Sequence, residues 1–128
     1  MPVRSLTSPV LKWPDAQAVR RALTQWVEKI IQHRPEVVRL GFFGSYARGD
    51  WGVGSDLDLV IIVADSEQPF EMRPNAFDTA ELPVPTDVLV YTQVEWHSLK
   101  PDRSFLKKLE RETVWIYPRH LRGEEASV

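Results

Sequence analysis

The chain has 128 residues, 43% of them hydrophobic and 27% charged, with no cysteine and a formal net charge of -2. That length suits a single domain with one core, and the composition is that of an ordinary folded protein rather than a disordered tract. The absent thiols exclude disulfides, thiolate-zinc sites and cysteine nucleophiles, and the slightly acidic balance argues against a polyanion-coating protein.

Residues 1–14, with Pro2, Pro9 and Pro14, read as an irregular arm, and no apolar signal segment opens the chain. Asp15 stands where a helix N-cap is useful. Beyond it Val19, Leu23, Trp26, Val27, Ile30 and Ile31 recur at helical spacing, and Pro35 forces an end near His33. The β-branched and aromatic run 37–43 predicts a first strand. Gly44-Ser45 is the turn out of it, Tyr46-Ala47-Arg48 a short helix starting at Ser45, and 49–55 a loop. A second strand follows over 56–63, with Leu57, Leu59, Ile61 and Val63 on one face and Asp56, Asp58, Val60 and Ile62 on the other.

The polar, proline-containing stretch 65–83 lacks sustained periodicity and predicts a long loop, with a turn of helix around 76–82. A third strand is expected over 86–91. Thr92-Gln93-Val94-Glu95 matches a capping box and predicts a helix from Gln93 to about Leu99. Pro101-Asp102 opens another helix carrying Phe105, Leu106 and Leu109. A short last strand over 113–117 precedes a loose tail, 119–128. The expected architecture is mixed α/β (α+β), a small mixed sheet flanked by helices. No repeat or low-complexity tract interrupts it. No apolar run approaches the roughly 20 residues that span a bilayer, so the expected location is cytoplasmic.

The chemistry concentrates between positions 41 and 54, which hold five of the six glycines, and just beyond. Asp56 and Asp58 are two apart on a strand and share a face, with Cα atoms about 6–7 Å apart. Two carboxylates so placed are costly unless a cation neutralises them. Magnesium, hard and oxygen-ligated, suits them, and a pair of such ions can clamp the attacking and leaving oxygens of a phosphoryl displacement. Asp87 is the acid inside the third apolar segment, where a charge needs a reason to be. Gly44-Ser45 supplies backbone amides and a hydroxyl at a helix start, a combination that suits a triphosphate. Arg48 pairs either with a phosphate or with Asp50; spacing does not choose between them. Tyr46 and Trp51 are open to two readings, a partner surface or the core. The histidines, His33, His97 and His120, match no metal-ligand spacing. No P-loop, dinucleotide-binding fingerprint or nucleophile elbow is present.

Gly44-Ser45, ten residues and then Asp56-x-Asp58 resembles the signature of the DNA polymerase β-like nucleotidyltransferase superfamily. The fuller Gly-Ser-Tyr-Ala-Arg-Gly-Asp and Ser-Asp-Leu-Asp-Leu-Val strings resemble its minimal, MNT-type branch. The resemblance covers about residues 37–63, with Asp87 matching the third acid. It implies a polymerase β-like fold, ATP bound at Gly44 and Ser45, and Mg2+ held by Asp56, Asp58 and Asp87, with Asp87 helping to activate the attacking hydroxyl. The stretch before Asp87 departs from the pattern, because it lacks the helix that members often carry there.

Three readings of the activity follow. In the first, AMP moves from ATP to a hydroxyl of a HEPN-domain toxin, since minimal members resemble antitoxins paired with such proteins. In the second, the acceptor is a small molecule such as an aminoglycoside, with a homodimer supplying the surface that a further domain provides elsewhere. In the third, the protein is a non-catalytic antitoxin that neutralises its partner by occlusion. Template-directed polymerisation ranks last, because no basic nucleic-acid groove is legible.

Overall fold

A computed structural model describes residues 13–99 and 104–118. Residues 1–12 of the expected arm, the expected helix start at Pro101-Asp102 and the tail over 119–128 lie outside the described residues. Helix α1 (Ala16–His33) starts where Asp15 accepts the Ala18 N–H at 2.8 Å and buries Val19, Leu23, Trp26 and Val27. Strand β1 (Val37–Phe43), the four-residue α2 (Ser45–Arg48) and β2 (Leu57–Val63) follow. Then come a 3-10 helix (Phe70–Ala76), β3 (Thr86–Thr92), α3 (Gln93–Leu99), α4 (Ser104–Glu112) and β4 (Val114–Tyr117).

The four strands form one mixed sheet in the order β3-β2-β1-β4. β1 is antiparallel to both neighbours, while β2 and β3 run parallel. Alternation along β2 sorts the core into two layers. Leu57, Leu59, Ile61 and Val63 join the α1 stripe, whereas Val60 and Ile62 pack with Trp96 of α3 and Leu106 and Leu109 of α4. In β1 a bulge lets Val37 and Leu40 share the α1 side, since Val37 pairs with Val63 but Arg39 with Ile62. The sheet is thus covered on both faces, as a parallel pair requires.

The capping box forms as the sequence predicts. Glu95 Oε1 accepts the Thr92 N–H at 2.9 Å, and Thr92 Oγ1 accepts the Glu95 N–H at 3.1 Å. One element lies elsewhere than expected. The helical turn of the 65–83 stretch spans Phe70–Ala76 rather than 76–82, and it is a 3-10 helix with Pro74 inside. Arg73 holds it in place: the guanidinium is buried and donates to Glu95, to Gln68 O and to Val90 O. A long-range ion pair that satisfies buried carbonyls overrides local pattern, and hydrophobic periodicity carries no trace of it.

Candidate active site

β1 ends at Phe43, whose partner across the antiparallel ladder is Asp58. The next residue, Gly44, takes φ 77 and ψ -150, a backbone state that an L side chain reaches only with strain. It is also packed so closely that an added Cβ would collide with the Asp58 carboxylate. The sequence therefore needs glycine here twice over, for the bend and for the approach of an acid. Gly44 caps α2, and Gly49, in the left-handed region, ends it. The Ser45 hydroxyl has no hydrogen bond among the described residues. The loop after α2 is closed by Ser55 Oγ accepting the Gly52 N–H at 2.8 Å, and it delivers the chain to Asp56 and β2.

Asp87 reaches the same place from the other side. In the parallel ladder Asp58 is in register with Asp87, which sets their Cα atoms about 4.8 Å apart on one face. Asp56 precedes the strand and is exposed, as is Asp87, while Asp58 is half-buried. Burial first, and then the negative charges of Asp87 and Asp56, push the Asp58 carboxyl above the ordinary range, against a smaller pull from Arg48. Among the described residues, however, no group of three acidic, histidine or cysteine side chains is close enough to form a ready-made metal cage. The site brings the three acids to one sheet end without closing them on a shared centre.

Arg48 is engaged within the chain. Its Nε donates to Asp50 at 3.1 Å, and its guanidinium lies 3.6 Å from Glu112. Glu112 also accepts the Gly44 N–H at 3.3 Å. This acid was not among the residues singled out from sequence. It arrives because α4 runs into β4, which lies so close to β1 that a Cβ at Gly41 would meet Val114 O at 2.6 Å. Tyr46 belongs to the core: it stacks on Trp51 at 5.6 Å and accepts from Trp13 Nε1 at 3.2 Å.

Two clefts meet at Asp58. One, of about 440 Å³, is lined by Gly44, Ser45, Arg48 and Asp56 together with Phe105, Lys108 and Glu112 of α4. The other, of about 1060 Å³, is lined by Asp87, Thr86, Asn75, Asp78 and Thr79. A site with an anion-suited turn on one side of an acid and an open polar groove on the other can hold two substrates across that acid.

The family model for the nucleotidyltransferase domain matches residues 24–116. The chain belongs to this family. Among solved structures, a candidate nucleotidyltransferase from Sulfolobus solfataricus superposes with a TM-score of 0.58 at 20% identity, covering 84% of this chain and 91% of that one. A toxin–antitoxin crystallised with AMP-PNP superposes with a TM-score of 0.52 at 16% identity, covering 73% of this chain and 72% of that one. At such identities the likeness is one of fold, and it confirms the mixed sheet flanked by helices as a nucleotidyltransferase fold. No curated protein sequence matches the chain. Among the described residues no helix is long and apolar enough to cross a membrane.

Proposed function

We propose that this nucleotidyltransferase-family chain transfers AMP from ATP to an acceptor hydroxyl on a partner protein, a HEPN-type toxin, and so acts as an antitoxin. The observation that carries this reading is the meeting at Asp58 of the Gly44 turn, packed against its carboxylate, and of Asp87, paired with it in register. The phosphates of the nucleotide lie against Gly44 and Ser45, beside Arg48, and the acceptor enters the groove next to Asp87. The likeness to a toxin–antitoxin solved with AMP-PNP supports both the nucleotide and the protein partner.

A divalent cation such as Mg2+ fits the donor set. Burial first, and then the charges of Asp87 and Asp56, raise the Asp58 pKa; a cation would relieve the repulsion, and Asp56, Asp58 and Asp87 would hold it by closing on it from one sheet end. When bound, the ion would neutralise the triphosphate and polarise the phosphorus under attack. The residues of the chain do the rest. The Ser45 hydroxyl donates to a phosphate oxygen and Asp87 accepts the proton of the attacking hydroxyl, each from one of the two clefts that Asp58 lines. The bond from phosphorus to the acceptor oxygen forms as the bond to pyrophosphate breaks.

The test is label transfer from ATP in the presence of Mg2+. Asp58→Asn is expected to lower transfer by at least about a hundredfold while the far-UV spectrum stays that of the parent. Transfer that survives the substitution would overturn the assignment. If the same variant still neutralises the toxin, occlusion rather than modification is the mechanism.

One observation favours a second acceptor class. Among the described residues, the groove beside Asp87 carries Asp58, Asp78 and Asp87 and no lysine or arginine. A polycationic small molecule such as an aminoglycoside suits that charge, and labelled aminoglycoside in place of labelled toxin would establish it.

A further inference from the structure

The cleft that receives the nucleotide is poor in available positive charge. Three of its lining residues are carboxylates, Asp56, Asp58 and Glu112, and two are cations, Arg48 and Lys108. Arg48 is divided between Asp50 and Glu112 and would reach a phosphate only by leaving one of them. Lys108 is exposed and, among the described residues, has neither an ion pair nor a hydrogen bond. A triphosphate entering beside three acids needs a mobile cation, and the flexible ammonium of lysine is suited to meet phosphates as a point charge.

Helical spacing places a second group beside it. Positions 105, 108 and 112 share one face of α4, while Leu106 and Leu109 turn into the core. Phe105 stands at the outer end of that face with 53% of its surface in water, a large ring exposed at the mouth of a polar cleft. Seven helical steps lead from it to Glu112, a rise of about 10 Å, with Lys108 between. From the Gly44 turn outward the order is acid-held amide, cation, aromatic face. A nucleoside triphosphate presents the same order, from phosphates to base.

We infer that Lys108 binds the triphosphate and that Phe105 stacks on the base, so that α4 supplies the part of the nucleotide site that the Gly-Ser turn lacks. This rests on the nucleotidyl-transfer reading and adds to it a binding surface far along the chain. Stacking on one aromatic side chain tolerates any base, since every base has a π-face. The surface therefore holds nucleotides without choosing strongly among them.

Two ligands separate the roles: ATP with Mg2+, and inorganic tripolyphosphate with Mg2+, each titrated into the full chain. Lys108→Ala is expected to weaken both about tenfold or more, and Lys108→Arg to keep both within a few-fold of the parent. Phe105→Ala is expected to weaken ATP about tenfold and to leave tripolyphosphate within twofold, with Phe105→Tyr restoring ATP. Both positions are exposed, so the variants should fold. Parent protein that binds ATP, with Lys108→Ala and Phe105→Ala unchanged, overturns this assignment and leaves nucleotidyl transfer standing. A Phe105→Ala variant that loses both ligands equally also overturns it. Parent protein that binds neither ligand overturns the inference and the nucleotide reading together.

Discussion

At Gly44 two demands fall on one residue, and they separate in a substitution. Gly44→Ala places a side chain at φ 77, which costs about 1–3 kcal/mol, and drives its Cβ into the Asp58 carboxylate. The expected outcome is a modest fall in Tm with a much larger loss of transfer, because the displaced carboxylate is the one at which the two clefts meet. Equal losses in the two measurements would reduce Gly44 to a structural turn. Asp58 behaves in the opposite way. Its carboxyl is raised in pKa, so the folded state favours the protonated form, and stability is lost as pH rises through the folded value. Asp58→Asn should therefore unfold at a higher temperature than the parent at pH 7, with the difference closing below about pH 4, where the unfolded carboxyl is also protonated. The pair Gly44 and Asp58 was legible in the sequence, because both sit in a compact motif of fixed spacing. Phe105, Lys108 and Glu112 were not, because a helix some fifty residues downstream brings them in, and only their i, i+3, i+7 spacing on α4 hinted at a common face.

Among the elements, the 3-10 helix and α3 depend on each other through Arg73 and Glu95. Glu95 caps α3 and takes two hydrogen bonds from the Arg73 guanidinium, at 2.7 and 3.0 Å. The Arg73 contact, ahead of the Thr92 N–H, holds its carboxyl below the usual range despite burial. The sign is that of a depressed acid: its stabilisation is present above the unfolded pKa and is lost as pH falls through the folded one. Glu95→Gln is expected to destabilise the protein by about 1.5–3 kcal/mol at pH 7, with the gap to the parent narrowing toward pH 3 in chemical denaturation. A gap independent of pH would show that packing, not charge, holds the two elements. The strands and most helices followed from pattern because their cores are periodic. The segment between β2 and β3 did not, since its placement hangs on one arginine.

For the molecule as a whole, two clefts share a single acid, and each can be closed without touching the other. Asn75, exposed in the groove beside Asp87, lies away from the Gly44 cleft. Asn75→Trp should leave ATP affinity within twofold of the parent and cut transfer to the acceptor by about tenfold or more, a separation read as binding against turnover. Loss of ATP affinity would mean that the groove serves the nucleotide instead. In the mixed sheet the antiparallel pair β1–β2 carries the turn, and the parallel partner β3 carries the last acid.

That parallel pairing also has a temporal side. β1 and β2 join through segment 44–56, whereas β3 must return to the sheet through the longer segment 64–85, at a somewhat greater cost in loop closure. A nascent chain that has emerged only as far as β2 already contains the whole Gly-Ser to Asp-x-Asp motif, yet it lacks Asp87, Lys108 and Phe105. During synthesis the motif most easily recognised in the sequence is complete before the residues that share its clefts have been made.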